Sequence, residues 1–251
     1  MMVPLCKGRY RVRPATGPGD IRAVQHLRGL CFRGGHGPDA DAFDPLCRHM
    51  LIEEAPGGTL VGCFRLLAIP GGEIGTSYSA QFYELSALRR FKGPMAELGR
   101  FCIRPDRTDP DILRLAWAAL TRFVDHERIG MLFGCSSFRG TETEAYADTF
   151  AMLRERHLAP KRWWPRVKAQ AKAQEVYRFA RRLSGQRPDP ARALRSMPPL
   201  LRSYLAMGGW VSDHAVVDRD LGTLHVFTGL EIAAVPPARA RLLRADAVGA
   251  V

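Results

Sequence analysis

One stretch, residues 95–138, restricts the fold more than any other. It opens on a mostly apolar strand pattern, MAELGRFCIRP, passes into a helix over 111–128, and returns in the apolar run MLFGCSSF. Ile112, Leu115, Ala116, Ala119, Leu120, Phe123 and Val124 recur at helical spacing and form one unbroken stripe. Asp109-Pro110-Asp111 supplies a cap, a first-turn proline and acids at the positive end of the helix dipole, and Gly130 ends the helix. A strand, a one-faced helix and a buried strand in that order predict a right-handed crossover in an α/β domain.

The flanking sequence extends this pattern. YRVRPA (10–15) alternates as a strand, and Ile21, Val24, Leu27, Leu30 and Cys31 set a helix over 21–32. RGGHGPDAD is a glycine-rich loop, 41–54 reads as a short helix or turn, and 58–70 as a strand. Residues 75–90 predict an ordered loop with a short helix, 143–157 a helix, and 210–218 with 223–232 a strand pair joined by a turn. The tail, 236–251, reads as loose. The expected fold is therefore α/β, a mixed central β-sheet flanked by helices, in a single domain over 1–251 with no dividing linker.

Composition narrows the class. With 46% hydrophobic and 25% charged residues, 251 residues can bury a real core, which excludes a disordered or collagen-like chain. No apolar run approaches the roughly 20 residues of a membrane span, and MMVPLCKGRYRVRP lacks the apolar core of a signal peptide, so a cytoplasmic protein is expected. The six cysteines never form C-x-x-C and the seven histidines show no ligand spacing; free thiols and no metal are expected.

The formal charge is +12, and it is concentrated. Residues 154–202 hold 14 Lys and Arg against three acids, a net of +11, while the rest of the chain, with 23 basic and 22 acidic residues, is almost neutral. Such a field attracts nucleic acid, anionic lipid or an acidic protein, and can equally be a solvated face.

Two places in the central segment carry chemistry. Glu97 and Arg100 stand in an otherwise apolar strand, where a charge needs a partner or a task. Strict alternation sends them to opposite faces, so both reach one cleft only if the strand bulges and splays near Gly99; an edge-strand ion pair is the plain alternative. The loop RPDRTDPD leads into the helix N-terminus, where free backbone N–H groups suit a phosphate. Asp109 and Asp111 oppose an anion there, whereas Arg104 and Arg107, with Thr108 beside them, favour one. Cys102 reads as a structural thiol, Ser136-Ser137 lack the G-x-S-x-G of a serine hydrolase, and Asp213, His214, Asp218 and Asp220 read as a turn network.

RGLCF (28–32), DAFD (41–44), CFRLL (63–67), ELGRFCIRPDRTD (97–109) and MPPLLRSYLAMGGWV (197–211) together resemble the GNAT acyltransferase superfamily. Within it the chain resembles the ornithine lipid N-acyltransferases, also called hemolysin-like, which are related to acyl-homoserine-lactone synthases. The likeness spans about residues 10–230. It implies that Arg28, Phe32, Asp41, Asp44 and Arg65 join Glu97 and Arg100 in one cleft, with Arg28, Arg65 and Arg100 suited to carboxylate or phosphate and Asp41 and Asp44 to the ornithine cation. The tryptophan that the synthases carry after Phe32 is absent.

The loop RTDPDI lacks the glycines with which coenzyme A-dependent members wrap a pyrophosphate. A single phosphodiester, the phosphopantetheine arm of acyl carrier protein, asks less of it, and the resemblance implies that donor. The carrier is acidic, which gives the basic segment a partner. Trp163 and Trp164, within that segment, and the basic stretch that follows them fit an anionic membrane surface at the inner face of the cell membrane equally well.

The implied reaction moves a 3-hydroxyacyl chain from acyl carrier protein to the α-amino group of ornithine, with Glu97 as base and no tightly bound cofactor, giving lyso-ornithine lipid. Acylation of another amino acid such as glutamine, or homoserine-lactone synthesis, are the enzyme alternatives. Nucleic-acid binding ranks below them, because it leaves the charged set around Glu97 without purpose.

Overall fold

The structure is a computed structural model that describes residues 4–168 and 175–249; within the basic segment, Lys172 lies outside the described residues. Along the chain run β1 (Leu5–Lys7), β2 (Tyr10–Pro14), α1 (Pro18–Phe32), β3 (Arg48–Glu54), β4 (Thr59–Pro70), β5 (Tyr83–Glu84), β6 (Pro94–Ile103), α2 (Pro110–His126), β7 (Met131–Arg139), α3 (Ala147–Arg156), β8 (Arg166–Val167), β9 (Val176–Tyr177), α4 (Phe179–Arg182), α5 (Pro190–Ser196), α6 (Pro199–Ala206), β10 (Trp210–Asp218), β11 (Thr223–Glu231) and α7 (Pro237–Gly249). The α/β expectation holds, and the strand pairs whose register is defined are antiparallel.

The chain forms two compact units, each assembled from separated segments. The first takes residues 1–68, 96–129 and 236–251; the second takes 69–95 and 130–235. The backbone passes from one unit to the other four times, which is why no linker composition marks a boundary.

In the first unit the strand order is β1-β2-β3-β4-β6. β3 falls where the sequence reads as a short helix or turn; only Asp44–Leu46 turns there, as a single 3-10 turn. Its register sets Ile52 opposite Val12 and Met50 opposite Phe64. His49, Met50, Leu51, Ile52 and Glu53 are all buried, so the strand lacks the polar-apolar alternation that would reveal it. The buried Glu53 is held by Arg11 and Arg13, each at 2.7 Å.

α2 forms as expected. Asp109 caps it, its carboxylate accepting from the Asp111 N–H at 3.0 Å, and Pro110 fills the first turn. Trp117 and Ala118 are buried as well as the expected stripe, and α7 packs against this helix. The tail read as loose is thus a helix, anchored by Lys7 to Asp246 at 2.9 Å and by Arg244 to Asp125 at 2.9 Å. Its arginine-rich sequence has no clean apolar stripe, so periodicity hides it.

In the second unit β7, β11, β10 and β9 lie side by side, and β5 pairs with β8. One apolar cluster joins Phe138, Phe150, Phe179, Leu201, Val211, Val226 and their neighbours. The register of β10 against β11 shifts between Val211 and Ala215. Within that irregularity His214 is buried with Nδ1 2.6 Å from Asp213, while Asp218 accepts from the Leu221 N–H in the hairpin turn. The sequence reading made all of these one turn network; Asp218 fits that role and His214 belongs to the interior. Tyr83 donates to the His225 carbonyl at 2.8 Å and lies 3.0 Å from His225 Nδ1. Burial drives His225 down to about 3, helped by the neighbouring His214.

Candidate functional site

The site in the first unit is built by a loop that folds back on its own helix. After α1, Gly34, Gly35 and Gly37 take left-handed backbone angles, and the Gly35 N–H bonds back to the Gly29 carbonyl at 3.0 Å. A side chain at Gly29 would collide with the Gly37 carbonyl, so this return is open only to glycine. The loop then delivers Asp39, whose N–H donates to the Gln25 carbonyl at 3.0 Å. The 3-10 turn beginning at Asp44 follows, with the Phe43 N–H donating to Asp41 at 2.9 Å.

Four arginines meet these three carboxylates. Arg28 on α1 donates to Asp39 at 2.8 Å and to Asp44 at 2.7 Å. Arg65 on β4 grips Asp41 with two nitrogens, at 2.6 and 2.8 Å, and reaches Asp44 at 2.6 Å. Arg100 on β6 donates to Asp39 at 2.8 Å and stands 3.1 Å from Asp41. Arg33 completes the set on the other oxygen of Asp39 at 3.1 Å. Asp39 is 0% exposed, Arg28 1% and Arg65 2%, whereas the Asp41 side chain keeps 20%. The network is therefore a sealed ionic core with Asp41 at its rim.

The titration behaviour follows from this pairing. Burial pushes the Asp44 carboxyl up, but bonds from Arg28, Gln25 and Arg65 outweigh it and hold the group at about 2. Burial likewise opposes ionisation of Asp39 and Asp41, and the guanidiniums win, leaving both below the usual carboxylate range. Cys47 is driven up to about 11, by burial first; its thiol also lies within the fields of Arg65, Glu97, Asp41 and Asp44. Glu97, 4% exposed on β6, acts on the same Cys47 thiol as Arg65, Asp41 and Asp44.

β6 departs from a regular strand where the sequence expects a bulge. Arg100 has φ +50°, the left-handed region, although it carries a long side chain. Holding it there costs on the order of 1–3 kcal/mol, offset by the bonds to Asp39 and Asp41. The irregularity falls on the residue after Gly99, and the Arg65 side chain runs directly over Gly99, where a Cβ would lie 3.4 Å from Nε.

Arg28, Asp41, Asp44, Arg65 and Arg100, grouped in the sequence by the family resemblance, lie in one ionic network. Phe32 lies apart from the charges, half-buried on an apolar cluster of Val24, Leu27, Leu51, Cys63 and Cys102. The residues expected at the donor phosphate are paired with acids: Arg104 bonds Asp106 at 3.0 Å, and Arg107 bonds Asp106 at 3.0 Å and Glu54 at 3.2 Å. Thr108 is exposed in the same loop. Asp39, Arg33, Gln25 and Cys47 escape the sequence reading. Asp39 alone leaves a trace there, as the first acid of the run DADAFD behind three glycines. Among the described residues no group of three or more His, Cys, Asp or Glu is arranged to hold a metal, and no helix is long and apolar enough to cross a membrane.

The sequence pattern of the acetyltransferase (GNAT) domain family matches residues 32–118. An L-ornithine N(alpha)-acyltransferase of Rhodobacter capsulatus is 35% identical over 234 residues, 86% of this chain and 88% of its own length. The enzyme of that name from Brucella abortus is 30% identical over 244 residues, 90% of this chain and 85% of its own. The solved structure of FeeM, an N-acyl amino acid synthase from uncultured soil microbes, aligns over 98% of this chain and 99% of its own with a TM-score of 0.50 at 10% identity, a likeness of fold.

Proposed function

Because the chain belongs to the L-ornithine N(alpha)-acyltransferase family, and is therefore an acyltransferase, we propose that it transfers a 3-hydroxyacyl group from acyl carrier protein to the α-amino group of ornithine. The product is lyso-ornithine lipid. The observation that carries this reading is the convergence of α1, the 39–44 loop, β4 and β6 on one ionic core with Glu97 beside it.

The α-amino group has a reference pKa near 8, so it arrives mostly as the ammonium and must lose a proton before it attacks. Glu97 takes that proton, directly or through one water. The nitrogen lone pair adds to the thioester carbonyl carbon, the C=O pair moves onto oxygen, and collapse expels the pantetheine thiolate. That thiolate recovers a proton as the amide forms. Backbone N–H groups near Arg100 stabilise the transient oxyanion. A thioester is already reactive, so positioning contributes much of the acceleration.

The burial pattern divides the labour within the core. Arg28 and Asp44 hold their neighbours in place, while Asp41, at the rim, meets the ornithine side-chain ammonium and Arg100 its carboxylate. Arg65 fixes Asp41 through its two-point grip. On the donor side, the phosphodiester takes the place of Asp106 on Arg104 and Arg107, with Thr108 beside them. The acidic carrier rests on the exposed cations of the basic segment, among them Lys161, Arg166, Arg178, Arg181 and Arg195. An anionic membrane surface receives the long-chain product at the same basic face; Trp163 is half-buried against Phe91 there, with ring centroids 5.5 Å apart.

The test is direct. Purified protein is given 3-hydroxyacyl carrier protein with ornithine, glutamine or S-adenosylmethionine, and products are read by mass spectrometry. Release of thiol together with a lyso-ornithine lipid is expected. A glutamine product or a homoserine lactone would overturn the substrate, and no transfer from the carrier would overturn the donor.

A further inference from the structure

Three thiols from three elements meet in the first unit, and the proposed reaction uses none of them. Cys31 ends α1, Cys63 lies in β4 and Cys102 in β6. The sulfurs of Cys63 and Cys102 are 3.5 Å apart, Cys31 is within hydrogen-bonding reach of Cys102, and the Cys31 sulfur stands 3.5 Å from the Ile103 carbonyl. Cys63 and Cys102 are buried, whereas Cys31 is partly open to solvent. The trio therefore has one member that a small solute can reach and two that it cannot.

We propose that Cys31 is a site of oxidation by hydroperoxides, with Cys102 as the thiol that resolves it into a disulfide. The environment marks Cys31 as the thiol that reacts first, and contact alone makes Cys102 its partner. A bond from Cys102 and the nearby Arg104 draw the Cys31 thiol below its ordinary range, while bonds to both neighbours and burial raise Cys102, so that the second step is the slower one. Cys47, also partly open, is pushed up to about 11 by burial and is a poor competitor.

The steps balance. The Cys31 thiolate attacks one peroxide oxygen, the O–O bond breaks, and sulfur gives up two electrons; with one proton, the other oxygen leaves as water or an alcohol. Cys31 is then a sulfenic acid. The Cys102 sulfur attacks the Cys31 sulfur, the S–O bond breaks, and hydroxide departs with the Cys102 proton as water. Cys63 is placed to attack Cys102 in turn; the S–S bond to Cys31 breaks, the Cys63 proton passes to Cys31, and the bridge moves between β4 and β6. A dithiol reductant reverses either bridge.

The consequence reaches the ionic core through the chain. Cys31 lies three residues after Arg28, and Cys102 two residues after the left-handed Arg100. Drawing these sulfurs to bonding distance pulls α1 and β6 together and shifts Arg100 on Asp39 and Asp41. The modification site stands apart from the proposed reaction; only its effect on rate rests on that reading.

The experiment treats the full-length protein with hydrogen peroxide and maps peptides without reduction. A Cys31–Cys102 link, or Cys63–Cys102 after longer exposure, is expected, together with at least a five-fold fall in acyl transfer that dithiothreitol restores. Cys31→Ser and, as a second variant, Cys31→Ala should abolish both while leaving untreated activity within about two-fold. Oxidation confined to the exposed Cys6, or a Cys31→Ala protein inactivated as fast as the parent, would overturn the proposal. The peptide map needs no turnover, so failure of the proposed reaction would leave it readable.

Discussion

Asp39→Asn isolates the ionic core in one step. The carboxylate is fully buried and receives Arg28, Arg33 and Arg100. Asparagine keeps the shape but loses the charge, and its amide N–H₂ must face a guanidinium donor. Three cations then share two carboxylates with Arg65. Removing one partner of a buried pair costs about 3–5 kcal/mol, because the other charge stays buried and uncompensated. For a chain of this size each kcal/mol shifts Tm by about 2–4 °C, so a fall of about 6–20 °C is expected by calorimetry or circular dichroism. Arg100 loses its anchor on Asp39 while still in a strained backbone region, so acyl transfer to ornithine should fall at least ten-fold, mainly through KM for the amine. Arg28→Met in the same chain removes one of the buried cations now in excess and should recover part of the stability. A Tm within about 2 °C of the parent with unchanged rates, or strictly additive losses in the double variant, would refute the argument.

Glu97→Gln should keep the fold and lower turnover by about 10²–10⁴, as expected for loss of a general base; unchanged turnover at saturating ornithine would dismiss that role. His225 is fully buried and titrates near 3 in the fold against about 6.5 unfolded. Its folded pKa is depressed, so its contribution is complete above about pH 6.5 and lost as pH falls toward 3. The loss at pH 5 is about 2 kcal/mol, and His225→Gln should flatten the fall in urea midpoint between pH 7 and pH 5. Arg178→Glu with Arg181→Glu, both exposed in the basic segment, should raise KM for acyl carrier protein several-fold and weaken its salt dependence. The same pair should leave transfer from an acyl-pantetheine thioester unaltered.

Periodicity exposed the elements with one wet face or one clear stripe. α2 carries cap, proline and stripe together, and the β10–β11 hairpin has its turn at the expected place. β3 stayed hidden because both its faces are covered, and α7 because its apolar residues form no one-sided stripe. In the ionic core, Arg28, Asp41, Asp44, Arg65 and Arg100 were legible through motif resemblance, since no local rule joins residues so distant along the chain. Asp39 was not, because its place depends on three left-handed glycines and the missing side chain at Gly29. The four crossings between units are likewise invisible in composition, for each occurs inside or next to an ordered element.

Those crossings bear on the timing of synthesis. The first unit draws on residues 1–68 and again on 236–251, and Lys7 finds Asp246 only when the last helix emerges. On the ribosome, β1, β2 and α2 are made well before α7, which packs on that helix. The second unit, complete by residue 235, can condense while its companion is still open along α2. A nascent chain halted before residue 236 leaves open the face of α2 on which α7 packs, a locally unprotected stretch that a protease can reach.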